Sequence, residues 1–223
     1  IIELGQKLGI DTPHTIELYD NSNIQGAYAV AGMVVYKDGV PSKKDYRKYK
    51  IKTVEGPDDY ASMKEVIYRR YYRLLMEQKE MADLIIVDGG LGQIKVAKEV
   101  INSLNLSVHI CGLSKDDKHS TAMLLDENGN QVPIDTKSPL FFLLTRMQDE
   151  VHRYAISFHR QVRSKSLFSS ILDEVEGIGE ARKKKLLHHF KSVKKMKEAS
   201  LEELEAVIPK NTAAKLYEVL HKE

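Results

Sequence analysis

Two aspartates far apart in sequence, Asp20 and Asp88, each follow an apolar run that reads as a β-strand, over residues 14–20 and 84–87. If those strands are neighbours in a sheet, the two side chains converge, and convergent carboxylates repel unless a cation sits between them. Hard oxygen ligands suit Mg2+ or Mn2+, which polarise a phosphate and lower the pKa of water, so the reaction class is phosphodiester hydrolysis. Taken singly, each aspartate reads equally well as a turn cap: Asn21-Ser22 follows Asp20, and Gly89-Gly90 follows Asp88.

His152 lies in a helical pattern that starts at Pro139. Histidine titrates near neutrality, so this side chain can order a water, accept a proton or ligate a metal, with Asp149 one turn earlier to orient it. The bland alternative is an ordinary helical histidine. Arg153, Arg160 and Arg163 add fixed charge and bidentate donors that suit phosphate oxygens, or a solvated face. Asp59 opens another helical pattern; on residue type alone it is an N-cap, although a carboxylate there could also reach a metal or its water shell.

A second centre is Gly177-Ile178-Gly179, followed by Glu180-Ala181-Arg182-Lys183-Lys184. Paired glycines let backbone N–H groups at a helix start approach phosphate closely, and the basic helix supplies charge. Such a hairpin grips backbone and senses DNA geometry more than base sequence. The alternative is an ordinary C-cap glycine pair.

The elements that must position these residues follow from periodicity. Strands are expected over 14–20, 27–36 and 46–53, the last with a basic outer face, forming a meander. A helix follows, capped by Asp58 or Asp59 and running to Lys79, then a buried strand over 84–87, a helix over 93–103 and a buried strand over 108–113. Residues 123–133 suggest a polar hairpin, and the helix from Pro139 should reach His159. That order predicts an α/β fold, a mixed sheet flanked by helices, of RNase H-like type. Small polar residues over 164–170 break the helical pattern, and four short helical segments follow from Ile171. The expected domains are therefore 1–166 and 171–223.

Bulk composition agrees. Hydrophobic residues make up 42% and charged residues 30%, as in a globular chain, and no apolar run is long enough for a membrane span. The net charge of +2 is uninformative, but eight Lys or Arg and no acid fall between Arg182 and Lys197. A single cysteine, Cys111, excludes an internal disulfide and fits a reducing cytoplasm. An opening Ile1-Ile2 suggests an excised fragment with no secretory signal.

Four collinear motifs carry a resemblance across nearly the whole chain: Asp20-Asn21-Ser22-Asn23-Ile24-Gln25-Gly26, Pro57-Asp58-Asp59-Tyr60-Ala61-Ser62-Met63, Val87-Asp88-Gly89-Gly90 and Asp149-Glu150-Val151-His152-Arg153. They closely resemble UvrC, the bacterial excision-repair nuclease, over its C-terminal half: an RNase H-like endonuclease domain followed by a tandem helix-hairpin-helix domain. The resemblance implies that Asp20 and Asp88 are metal-binding catalytic residues, that His152 is the third, and that Asp59 belongs to the site despite its capping character. It implies incision of damaged double-stranded DNA on the 5' side of a lesion, in a complex with UvrB–DNA, by a cytoplasmic protein of the DNA-damage (SOS) response that acts as a monomer. The UvrB-interacting segment of that family should lie upstream of this chain. Asn23 stands where the family usually has His, and Leu91 where Lys is common, so neither position is expected to be essential. The second hairpin, Val207-Ile208-Pro209-Lys210-Asn211-Thr212, lacks the usual glycine, so DNA contact should fall mainly to the first. Two rival readings are a non-catalytic DNA-binding module and another RNase H-like nuclease, such as a resolvase or ribonuclease.

Overall fold

The structure, a computed structural model, describes residues 1–24, 28–116 and 122–222. The chain divides into two compact units, Ile1–His159 and Arg160–Glu223.

The first unit is built on an eight-stranded mixed sheet. Its centre is parallel: β1 (Thr15–Ile24), β5 (Leu84–Asp88) and β6 (His109–Lys115) lie side by side. Parallel neighbours need crossovers, and α2 (Asp59–Met76) and α3 (Leu91–Ser103) are the helical parts of the two that reach β5 and β6. β2 (Tyr28–Lys37) pairs antiparallel with β1, and β3 (Val40–Pro41) and β4 (Arg47–Lys50) both pair with β2. On the other side, β7 (Ala122–Leu125) and β8 (Gln131–Val132) extend the sheet from β6. The mixed sheet flanked by helices expected from the sequence is therefore present. Ala27, the expected start of the second strand, lies outside the described residues.

Strand alternation sorts the core into two layers. Tyr19, Met33, Val35, Ile85, Val87 and Ile110 face α2 and α3. Ile16, Leu18, Val34, Leu84, Ile86 and Cys111 face the opposite way, where Leu140, Leu144, Met147 and Val151 of α4 (Pro139–Asp173) cover them. α1 (Ile2–Leu8), which periodicity did not reveal, adds Leu4 to that layer.

Several boundaries differ from expectation. β4 stops at Lys50, not 53: Ile51 N–H still donates to the Ala29 carbonyl of β2, but the N–H groups of Lys52 and Thr53 leave the ladder and donate to the Glu65 carboxylate at 2.6–3.0 Å. α2 ends at Met76, three residues before Lys79. α4 does not stop near His159 and continues through residues 164–170, where the sequence suggested a break. That stretch contains no Gly or Pro, and Phe168 and Leu172 bury against the second unit's core, so packing holds the helix where local propensity is weak.

The second unit closes on a core of Phe168, Leu172, Ile178, Leu186, Leu204 and Leu216, among others. Residues from Ile171, expected to open the first of four short helical segments, are the end of α4, and beyond it the unit has α5 (Glu180–Phe190), α6 (Val193–Glu198), α7 (Leu201–Glu205) and α8 (Lys210–Leu220). Among the described residues, no helix is long and apolar enough to cross a membrane.

Candidate active site

Asp20 is not at the end of its strand, as the sequence suggested, but inside β1. Parallel pairing with β5 ends at Tyr19↔Val87, and beyond it β1 continues only with β2. Asp20 and Asp88 therefore occupy the first rung after the β1–β5 pairing, on neighbouring strands about 4.8 Å apart. Both share the parity of Leu18 and Ile86, so both face the α4 layer.

α4 meets them there. His152 Nδ1 lies 2.9 Å from Asp20 Oδ2, and Gln148 Nε2 donates to Asp88 Oδ1 at 3.0 Å. The next contact falls on β2: Asp20 pairs with Gly32, and a Cβ on Gly32 would lie 3.1 Å from the Ala155 backbone and 3.0 Å from the Tyr154 ring. α4 thus crosses β5, β1 and β2 along one rung, and glycine is what lets it come so close at the third.

One ligand atom from each of Asp20, Asp88 and His152 lies within 4.8 Å of the others, a group that could hold a metal ion. Asp20 is 7% exposed, while His152 keeps 59% of its side chain open to solvent. Burial first, then the Asp88 charge, push the Asp20 carboxyl from 3.8 up to about 7, against the pull of the His152 hydrogen bond and charge. Two carboxylates that resist joint ionisation, with an imidazole beside them, form a donor set that fits a hard divalent cation.

Asp59 is outside that trio. The cap of α2 is Asp58, whose Oδ1 accepts from Ala61 N at 2.9 Å. Asp59 is tied to the site through its main chain, since Asn21 Nδ2 donates to its carbonyl at 3.0 Å. Tyr60, next in sequence, lays its ring against Gly92, where a Cβ would sit 2.5 Å from it. Asp149 is exposed, and His152 Nδ1 meets Asp20 in its place. Arg153 is engaged in a two-pronged pair with Glu150, at 2.8 and 2.9 Å, whereas Arg160 and Arg163 are exposed in the second unit.

In the hairpin before α5 the two glycines differ. Gly177 has φ +94°, and a Cβ there would lie 3.2 Å from Thr212 Oγ1 of the second hairpin. Gly179, the N-cap, has ordinary extended φ and open space where a Cβ would go. Ile178 is buried between them. Arg182 turns back to the Gly177 carbonyl, and Lys183 to Asp173 and Glu180. Lys184 remains exposed.

The residue that sequence reasoning missed is Gln148. Its signal was available: a polar side chain four residues before His152, inside the apolar stripe Leu140, Leu144, Met147, Val151.

The UvrC RNase H endonuclease domain matches residues 5–156, and a SAM-like helix-hairpin-helix tandem matches residues 169–222. The chain belongs to the UvrC RNase H endonuclease domain family. Its two units are thus an RNase H-like domain and a helix-hairpin-helix domain, and this UvrC-type chain is a nuclease by family. Solved structures similar to it include Ciona intestinalis endonuclease V with a 24mer DNA containing an inosine followed by a ribo-adenosine, at 18% identity, TM-score 0.35, over 51% of this chain and 54% of that one. Human endonuclease V matches at 15% identity, TM-score 0.33, over 53% and 61%. Clostridium butyricum Argonaute, bound to a guide DNA and a 19-mer target DNA, matches at 14% identity, TM-score 0.33, over 56% and 17%. The UvrC-type chain spans about half the length of the Ciona endonuclease V chain it matches.

Proposed function

We propose that this chain is a divalent-metal-dependent DNA endonuclease that makes the 5' incision beside a lesion in bacterial nucleotide excision repair. The observation that carries the reading is the meeting of Asp20, Asp88 and His152 within 4.8 Å, in a chain whose first unit matches the UvrC endonuclease domain.

Asp20, Asp88 and His152 would hold one Mg2+ or Mn2+, which supplies Lewis-acid activation of phosphodiester and water. Asp20 and Asp88 contribute the negative charge that draws the cation, and their shared rung fixes the separation of their oxygens. His152, more than half exposed, would complete the ligand set from the solvent side, and the proton of the attacking water passes to solvent. Hydroxide adds to phosphorus, the bond to O3' breaks, and O3' gains a proton, leaving a 3'-hydroxyl and a 5'-phosphate. Asp59 sits at the rim, through its link to Asn21.

Residues 1–166 would act as the nuclease and 171–223 as the DNA grip. In the second unit, Gly177, Ile178 and Gly179 present backbone, while Arg182 and Lys183 brace the hairpin, and Lys184 meets phosphate with Arg160 and Arg163. The substrate is damaged double-stranded DNA loaded with UvrB, and the protein works as a monomer in the cytoplasm during the DNA-damage (SOS) response, as the resemblance to UvrC implies.

The test is Asp20→Asn or Asp88→Asn, assayed with Mg2+ or Mn2+ on a lesion-bearing duplex in the assembled repair complex. Loss of 5' incision with DNA binding retained is expected; full incision by either variant rejects the assignment.

A further inference from the structure

We infer that Gln148 is a positioning residue for Asp88, and that α4 sets the cation site through a matched pair of contacts: Gln148 to Asp88 and His152 to Asp20. The inference rests on the reading of Asp20, Asp88 and His152 as cation ligands.

Two spacings coincide. Side chains four apart on a helix sit about 6 Å from one another, and neighbouring strands lie about 4.8 Å apart. A helix that crosses the strands can therefore address one residue on each with successive turns. α4 does so: Gln148 reaches β5, His152 reaches β1, and Ala155 lies against Gly32 of β2. Both carboxylates are thereby held by one rigid element.

The chemical type at position 148 matters as much as its place. Gln148 is 4% exposed, so its amide has lost water and needs a partner, which Asp88 Oδ1 supplies at 3.0 Å. Of the two Asp88 oxygens, Gln148 engages Oδ1. A lysine or arginine there would hold Asp88 equally firmly but would neutralise it, and would compete with a divalent cation for the same charge. A neutral amide donor fixes the carboxylate's rotamer and leaves its charge intact. Asp20 is served differently, since His152 can itself contribute a ligand nitrogen. Of the two α4 contacts, Gln148–Asp88 is thus purely orienting.

Loss of an outer hydrogen bond to a ligand typically lowers metal affinity about 10–100-fold. The experiment titrates Mn2+ into the intact chain and follows free Mn2+ by electron paramagnetic resonance, for the parent, Gln148→Met, Gln148→Asn and Asp88→Asn. Methionine keeps the volume without the donor, and asparagine keeps an amide that is one methylene short. Both are expected to bind Mn2+ at least tenfold more weakly than the parent, while Asp88→Asn loses binding. Parental affinity, within twofold, in both Gln148 variants while Asp88→Asn fails to bind would overturn the positioning role alone. Parental affinity in Asp88→Asn would overturn the site reading and this inference with it. A measurement on the unsubstituted chain does not depend on either variant folding: the Gln148 side-chain amide protons should shift in the NMR spectrum on Mg2+ addition, and unmoved signals would refute the contact.

Discussion

Replacing Asp20 by asparagine should make the metal-free protein more stable, and increasingly so as pH rises. In the fold, burial and the Asp88 charge raise the Asp20 carboxyl from 3.8 to about 7. Because the folded value lies above the unfolded one, the neutral acid is the form the fold accepts. Its contribution is intact below about pH 4 and is lost as pH climbs to about 7. At about 1.4 kcal/mol per pH unit, that rise corresponds to a loss of about 4 kcal/mol, an upper bound because the site can relax. An asparagine side chain cannot ionise and escapes the loss. Urea unfolding of EDTA-treated parent and Asp20→Asn, followed by circular dichroism between pH 4 and 8, measures the difference directly. The variant should gain roughly 2–4 kcal/mol relative to the parent over that interval. Saturating Mn2+ should remove most of the parent's pH dependence, since a bound cation favours the ionised carboxylate. Parallel stability curves for the two proteins across pH 4–8 would refute the buried, mutually repelling pair.

Gly32→Ala should cost about 1–3 kcal/mol and weaken Mn2+ binding, because its Cβ would meet the Ala155 backbone at 3.1 Å and push α4 off the rung; unchanged melting and affinity would refute the close approach. Gly177→Ala should destabilise the second unit, with φ +94° and Thr212 in the way, whereas Gly179→Ala should leave melting unchanged, so any fall in its DNA affinity reports close approach of phosphate there. Lys184→Ala should weaken DNA binding and flatten its salt dependence in a fluorescence-anisotropy titration, while Lys183→Ala should act mainly on melting, since Lys183 is engaged by Asp173 and Glu180. Glu65→Ala should lower stability by about 1–2 kcal/mol in thermal denaturation, because it removes the charged acceptor shared by the Lys52 and Thr53 N–H groups and Arg69.

Much of this was written in local pattern. Apolar runs before Asp20 and Asp88 announced buried strands, and parity alone then dictates that both carboxylates face one layer. Histidine chemistry singled out His152 before any contact was known. Gln148 escaped because a buried amide has no chemical signature of its own; its role exists only through the strand that α4 happens to cross. Gly32 escaped for the same reason, since within a strand a glycine signals close approach without naming the visitor. The continuation of α4 past residue 164 was hidden because its support is tertiary: Phe168 and Leu172 are held by the second unit's core and not by local propensity. Asp58 and Asp59 could not be separated by type, and a single Asp58–Ala61 hydrogen bond decided the cap.

The site also shows why stability and chemistry pull against each other in this fold. A sheet places neighbouring strands at a separation that no local choice can widen, so two acids on one rung are forced together. Asparagine at position 20 would relieve the repulsion and improve the metal-free protein, yet remove the charge that draws a cation. What keeps the pair in register is α4, which supplies a donor to one carboxylate and an imidazole to the other without adding a fixed positive charge beside them. Below about pH 7 protonation relieves this strain, and above it a divalent ion does, so the folding cost of Asp20 and the affinity for the cation have one physical origin. Substitutions that stabilise the empty site should therefore weaken the filled one.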